Sequence, residues 1–149
     1  YIKLEDYPVL SKMSRIQKLA PESIGIFGGL GGVYFLEELQ RGSRGIMTGF
    51  AFPEVLLEVY ESFRGGDLER AASVFDHYIS LIRYEFQPKI GLAYRKYIYH
   101  RRGVIESTFI RPPGMQIDYY TSAELVSIIE RVGFSLDAIG VQRVELPAS

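Results

Sequence analysis

The feature that most constrains this chain is an alternation, from Tyr1 to about Arg64, of short apolar runs with amphipathic segments. Two of the runs, Ser23–Phe27 and Gly45–Phe52, are bounded by glycine or proline, as strands buried on both faces are. A shorter run begins at Ile2. The alternation predicts strand–helix units, right-handed crossovers and a parallel sheet. The predicted helices cover about Ser11–Leu19, Gly32–Gln40 and Pro53–Arg64.

Beyond Gly65 the pattern becomes purely helical. Helices are predicted over about Asp67–Phe86, with the aspartate as N-cap, and over about Ile90–Arg101. Thr121 and Glu124 have the spacing of a capping box and predict a last helix. Three strands leave two unpaired edges, so we expect the sheet to be part of a larger one. The chain divides into two regions: the strand–helix units over 1–64 and the helices over 65–149.

Composition excludes several classes of protein. The chain has 149 residues, of which 47% are hydrophobic, and can therefore bury a substantial core. A formal net charge of −1 gives no overall field that would attract nucleic acid or an anionic membrane. There is no cysteine, and His77 and His100 lack metal-ligand spacing. No apolar run is long enough to span a membrane, and we expect a soluble, cytoplasmic protein without a metal or other cofactor.

Several short motifs occur in a fixed order along the chain. Ile2 and Lys3 come first, "FGG" follows at Phe27–Gly29, "RGSRGIMTGFAFPEVL" at Arg41–Leu56, and "RPPG" at Arg111–Gly114. Their order and spacing resemble the second half of the dihydrodipicolinate synthase and N-acetylneuraminate lyase family, over nearly all of the chain. The resemblance implies an α/β fold, the C-terminal part of a (β/α)8 TIM barrel with extra C-terminal helices. It further implies that the chain holds strands six to eight, and that strands one to five precede it.

The resemblance implies a reaction as well as a fold. Lys3 would be the lysine that forms an imine, or Schiff base, with pyruvate or a related 2-oxo acid. At the end of a barrel strand it would reach substrate, and apolar surroundings would favour its uncharged, nucleophilic amine. The imine would become an enamine that adds to an aldehyde, and the reverse reaction would cleave a carbon–carbon bond. The family pattern also places Gly28 or Gly29, Met47 and Thr48 beside the 2-oxo acid.

Several residues bear on the substrate. The glycine-rich "FGGLGG" at Phe27–Gly32 lacks the Gly-Lys-Ser/Thr of a phosphate loop, and Tyr34 interrupts a dinucleotide fingerprint. Leu30 and its neighbouring glycines offer no acceptor for the hydroxyls of a sialic acid, and Leu4–Pro8 depart from the family pattern. These departures favour a divergent subgroup. The family's relay tyrosine, its carboxylate-binding threonines and its arginine for the second substrate belong to the implied preceding half.

Two other functions stay open. The stretch Tyr94–Arg102 interleaves basic and tyrosine side chains and could form a nucleic-acid surface. Its helical spacing also fits a solvated helix with an aromatic packing stripe. A barrel-derived protein could instead bind a 2-oxo acid without turning it over. The resemblance itself implies a homotetramer or homodimer that uses an aldehyde co-substrate and contacts neither nucleic acid nor membrane.

Overall fold

A computed structural model describes residues 1–138 and 140–147. Short parallel strands alternate with helices in the first part of the chain, and helices follow, as the alternation of apolar runs predicts. The elements in chain order are β1 (Ile2–Lys3), α1 (Val9–Leu19), β2 (Ile26–Gly28), a 3-10 helix (Leu30–Gly32), α2 (Phe35–Gln40), β3 (Gly45–Ile46), α3 (Pro53–Gly65), α4 (Leu68–Glu85), α5 (Gly91–Arg101) and α6 (Tyr119–Arg131).

The three strands form one parallel sheet in the order β1-β2-β3. Lys3 lies opposite Phe27, and Phe27 lies opposite Gly45. Strands that follow one another in both sequence and space, joined by helical crossovers, are the arrangement found in a (β/α) barrel. Within the described residues β1 and β3 each pair on one side only, which is consistent with part of a barrel.

Two strands differ in extent from the prediction. The run at Ser23–Phe27 enters the sheet only at Ile26, because a turn in which Ile24 donates to the Pro21 carbonyl precedes the strand. The long run from Gly45 pairs only as far as Ile46. The Met47 N–H still donates to β2, but the N–H groups of Phe50 and Ala51 bond to side chains, so the apolar run continues as a loop that becomes buried at Phe50.

Two details of the predicted helices are wrong. The apolar Leu19, at the end of the predicted first helix, does not pack into the core but is 74% exposed, since α1 ends at this residue. The last helix begins before the predicted capping box, because the Asp118 carboxylate accepts from the Thr121 N–H at 2.7 Å and acts as N-cap. The Glu124 carboxylate accepts instead from the Tyr84 hydroxyl on α4.

The main core is one apolar cluster that extends from α2 to the residues after α6. At its centre the ring of Phe134 stacks between Phe52, at 4.8 Å, and Tyr78, at 5.0 Å. A smaller cluster, which includes the fully buried Met13, packs α1 against β1 and β2. Both regions of the chain contribute to the main core, and the division after residue 64 stays a prediction. None of the helices described is long and apolar enough to cross a membrane.

A buried ion pair joins α5 to the start of α3. Arg102 is 5% exposed, its Nη2 lies 2.6 Å from Glu54 Oε1, and its guanidinium covers the Phe52 ring at 4.7 Å. The same guanidinium donates to the carbonyls of Ala51 and Gly140. Because every side of this cation has a partner, it fixes the chain segments around it.

Replacing Arg102 tests this pair. We expect Arg102→Ala to lower the free energy of unfolding by about 3–5 kcal/mol, since Glu54 would stay buried without its counter-charge. The neighbouring Arg101 pairs with the exposed Asp137 at the surface and supplies a matched control. Arg101→Ala should cost less than about 1 kcal/mol. Urea denaturation followed by circular dichroism measures both, and equal losses would contradict the assignment.

Candidate functional site

A cavity of about 340 Å³ lies at the carboxyl ends of the three strands. The loop after each strand contributes to it, and the helical region closes one side. Carboxyl ends of parallel strands are where α/β folds place their sites. Its lining residues are Lys3, Glu5, Gly31, Met47, Thr48, Gly49, Phe86 and Arg95.

A larger groove of about 560 Å³ runs along β3 and α3 and is mainly apolar. Its charged lining residues are Arg44 and Glu54, and the latter is already paired with Arg102. The groove follows the unpaired side of β3, and a further strand of a larger sheet would pack there. We therefore take the smaller, more polar cavity as the candidate site.

Lys3 and Glu5 form an ion pair inside the cavity. Lys3 Nζ lies 3.1 Å from Glu5 Oε2, and the other carboxylate oxygen accepts from the Leu30 N–H at 3.2 Å. Side chains two residues apart on an extended segment point to the same face, and the buried Leu4 between them points to the core. The lysine side chain is 40% exposed, not surrounded by apolar groups as expected, because β1 is an edge strand of the described sheet.

Two more predicted residues, Met47 and Thr48, line the same cavity as Lys3. The Met47 N–H continues the sheet contact by donating to the Gly28 carbonyl at 3.0 Å. The Thr48 hydroxyl accepts from the Phe50 N–H at 3.2 Å, which fixes the loop after β3. The structure thus places Lys3 beside two consecutive residues from the far end of the strand–helix region.

Gly28 and Gly29 lie outside the lining of the cavity, and Gly31 lines it instead. The first two glycines separate two carboxyl groups. A Cβ atom on Gly28 would overlap the Glu38 carboxylate, and one on Gly29 would overlap the Glu5 carboxylate. Glycine is therefore needed at both positions, because each side chain approaches the backbone closely.

Glu38 is a fully buried carboxyl group behind this glycine turn. Among the described residues neither of its oxygens has a hydrogen-bond partner. The pKa of Glu38 is raised to about 7, mainly by burial; the nearby Gly29 N–H opposes this increase, and the charges of Glu37 and Glu5 add to it. No sequence pattern predicted this buried carboxyl group, since a glutamate on an amphipathic helix is usually solvated.

A second buried carboxylate, Glu85, positions Arg95 at the cavity. Glu85 is 1% exposed, and its Oε1 lies 3.0 Å from Arg95 Nε. The Ala51 N–H donates to both of its oxygens, at 3.0 and 3.2 Å. Burial raises the pKa of Glu85 to about 7, and the Ala51 N–H and the guanidinium oppose that increase. Sequence reasoning treated Arg95 as solvated and missed this pair, which is formed by two separate helices.

The basic stretch Tyr94–Arg102 is engaged inside the protein. Three of its arginines form ion pairs with Glu85, Asp137 and Glu54, and its lysine donates to the Phe109 carbonyl. The first tyrosine of the stretch is buried. A nucleic-acid surface requires free cations beside exposed aromatic rings, so these contacts weigh against that alternative.

Comparisons with known proteins agree with the fold. Over 133 residues the chain is 29% identical to L-2-keto-3-deoxyarabonate dehydratase of Azospirillum brasilense, a match that covers 89% of this chain and 43% of the relative. It superposes on dihydrodipicolinate synthase of Rhodopseudomonas palustris with a TM-score of 0.81 and 34% identity, over 87% of this chain and 44% of that one. No protein-family model matches the chain.

A third comparison supports the fold alone. A prophage protein of the dihydrodipicolinic acid synthase family from E. coli K12, solved in complex with pyruvate, superposes with a TM-score of 0.72 at 17% identity. That match covers 90% of this chain and 47% of the other. The chain therefore spans less than half the length of the relatives that it matches.

The buried Glu38 carboxyl predicts a pH-dependent stability. Its folded-state pKa of about 7 lies above the ordinary value of 4.5, so between these values the folded protein holds a proton that the unfolded chain releases. Its contribution to stability is complete below pH 4.5 and is lost as the pH rises through 7. The free energy of unfolding of the wild-type protein should therefore decline as the pH rises, and we expect Glu38→Gln to make that decline smaller by about 1–3 kcal/mol.

Urea denaturation at intervals from pH 4.5 to pH 8 measures the effect. The Glu85 carboxyl titrates in both proteins, so its share cancels in the difference between wild type and variant. Glu61→Gln, on the exposed face of α3, is the control and should leave the slope unchanged. Parallel curves for wild type and Glu38→Gln would show that Glu38 is ionised throughout this range.

Proposed function

Because the chain belongs to the dihydrodipicolinate synthase and N-acetylneuraminate lyase family, we propose that it carries the reactive lysine of a lyase that acts on 2-oxo acids. The match to these enzymes confirms the resemblance drawn from the motifs. The observation that most directly supports the proposal is that Lys3 shares one cavity, at the carboxyl ends of parallel strands, with Met47 and Thr48. The three strands are then strands six to eight of a barrel.

The first chemical step is imine formation at Lys3. The uncharged Nζ adds to the C2 carbonyl carbon of the 2-oxo acid, and the former carbonyl oxygen leaves as water once it has taken up protons. Glu5, whose Oε2 lies 3.1 Å from Nζ, is placed to accept the ammonium proton and to return it to the departing hydroxyl. Its second hydrogen bond, from the Leu30 N–H, holds the carboxylate in that position.

The imine then activates the neighbouring carbon. Its positive nitrogen draws electrons from C3, and loss of a C3 proton gives an enamine. In the lyase reaction the enamine carbon adds to an aldehyde, and the reverse sequence breaks the same carbon–carbon bond. Pyruvate, an aldehyde co-substrate, a cytoplasmic location and a homodimeric or homotetrameric assembly are parts of this proposal.

The Lys3–Glu5 pair also supports a second reaction, the elimination of water. If the 2-oxo acid has a hydroxyl at C4, the enamine electrons can expel that hydroxyl, and protonated Glu5 can supply the proton with which it leaves as water. The carboxyl group stands beside the lysine, where the departing oxygen would lie. The Azospirillum relative, a dehydratase by name, gives independent support to this reaction.

Trapping of the imine tests the main proposal. We expect sodium borohydride with pyruvate to reduce the imine to a stable amine on the peptide that contains Lys3, in the intact natural protein. Lys3→Arg should abolish the labelling, because a guanidinium cannot form the imine under these conditions. Peptide mass spectrometry measures the modification.

Lys18→Arg is the matched control, since this lysine is exposed on α1 outside the cavity. In the Lys18→Arg variant, Lys3 should be labelled as efficiently as in the wild-type protein. An unmodified Lys3 peptide at saturating pyruvate, with a folded protein by circular dichroism, would rule out the imine mechanism. Retention of pyruvate without labelling would instead favour a barrel that binds 2-oxo acids and does not convert them.

Glu5→Gln separates elimination from imine formation. With a 2-oxo-3-deoxy sugar acid as substrate, we expect water release to fall by roughly 10²–10⁴-fold, the usual contribution of general acid–base catalysis. Borohydride trapping of pyruvate at Lys3 should fall by much less, since solvent can exchange protons with an amine. Following product formation and trapping in the same preparations gives both rates. Equal losses in the two assays would show that Glu5 serves imine formation and not the departure of a hydroxyl.

A further inference from the structure

The guanidinium of Arg95 has unused donors at the cavity. Its Nε donates to Glu85, while Nη1 and Nη2 have no hydrogen-bond partner among residues 1–138 and 140–147. The side chain lines the same cavity as Lys3 and lies over the backbone of Gly49, so closely that a Cβ there would stand 2.9 Å from Nη1. Four N–H groups of a fixed cation therefore remain for a ligand.

The orientation of this cation is set before any ligand arrives. Glu85 is buried, and its carboxylate is itself fixed by two hydrogen bonds from the Ala51 N–H. An arginine held through Nε keeps its planar fork in one direction, so little conformational freedom is lost when the remaining N–H groups bind. Glu85 is thus a positioning residue for Arg95.

The charges in the cavity favour an oxygen-rich group beside Arg95. Lys3 pairs with Glu5, and Arg95 pairs with Glu85 through Nε alone, so the two Nη groups of Arg95 are the donors left for a ligand in the cavity. The lining of the cavity also includes the apolar side chains of Met47 and Phe86. A ligand whose reacting carbon meets Lys3 would therefore place the rest of its chain toward the arginine.

We propose that Arg95 binds the oxygen-bearing end of the 2-oxo acid that is remote from C2, through its carboxylate or hydroxyl oxygens. Arg95 thereby selects 2-oxo acids with a polar chain over those with a short alkyl group. This inference rests on the proposed function, because it takes Lys3 as the residue that meets C2. A planar fork of N–H donors suits either a carboxylate or a pair of hydroxyls.

The test compares three 2-oxo acids as probes of Lys3. In the intact natural protein, 2-oxobutyrate supplies an apolar chain, 2-oxoglutarate a terminal carboxylate, and a 2-oxo-3-deoxy sugar acid terminal hydroxyls. The concentration for half-maximal borohydride labelling of Lys3 is measured for each acid. The selectivity is the ratio of the half-maximal concentration for 2-oxobutyrate to that for a polar acid. This ratio does not change when a substitution affects imine formation with all the acids equally.

We expect Arg95→Gln to reduce that preference for at least one of the polar acids by roughly tenfold to a hundredfold, the usual loss for hydrogen bonds to a charged group. Arg95→Lys, which keeps the charge but not the fork, should lose less. The matched control is Arg101→Gln on the same helix, whose arginine pairs with Asp137 outside the cavity. It should leave the ratio within twofold of wild type, on the order expected for a surface pair.

Each outcome decides between the proposals. If Lys3 is labelled and both Arg95 variants keep the wild-type ratio, the role given to Arg95 is wrong and the imine mechanism stands. If wild type is labelled by no acid, the proposed function fails, and calorimetric binding of the same acids to the same variants then tests the arginine alone. If Arg95→Gln does not fold, Arg95→Lys decides, with a shift of roughly threefold or more in its ratio supporting the inference.

Discussion

The peptide groups of Ala51 hold the helical region to the sheet. Its N–H donates to Glu85 at the end of α4, and its carbonyl accepts from Arg102 just after α5. A buried backbone N–H or carbonyl group without a hydrogen-bond partner lowers stability by an amount comparable to a lost hydrogen bond. At Ala51 no neighbouring strand of the described residues supplies such a partner. Two charged side chains take the place of a strand neighbour, and the position of the loop after β3 depends on them.

The same contacts connect the fold to the chemistry. Glu85 accepts from the loop backbone and from Arg95 at once, so the loop that carries Thr48 and the cation that faces it share one anchor. On the far side of Ala51, the Arg102–Glu54 pair fixes the start of α3. The helices after α3 are therefore part of the site's construction as well as a cover for the core. This is why a residue of α5 stands in a cavity that parallel strands define.

Local patterns predicted most of the elements, whereas the family resemblance implied that Lys3, Met47 and Thr48 lie at one site. The cavity contains all three, because the ends of parallel strands meet at one edge of a sheet. Local patterns did not predict the extent of β3, since hydropathy cannot distinguish a buried strand from a loop whose N–H groups bond to side chains. Nor did they find Arg95, whose placement depends on a buried partner ten positions earlier on another helix. Contacts of this kind leave no periodic trace in a single sequence.

The two carboxyl groups nearest to the glycine turn, Glu5 and Glu38, depend on that turn for their positions. Glu5 lies in the run that departs from the family pattern, and a carboxylate there requires a partner and space. The Leu30 N–H supplies the partner, and the absence of a side chain on Gly29 supplies the space. Behind the turn, Glu38 comes close enough for the charge of Glu5 to raise its pKa, although burial is the larger cause of that increase. The glycine turn thus separates two carboxyl groups, of which Glu38 is buried behind the sheet and Glu5 faces Lys3.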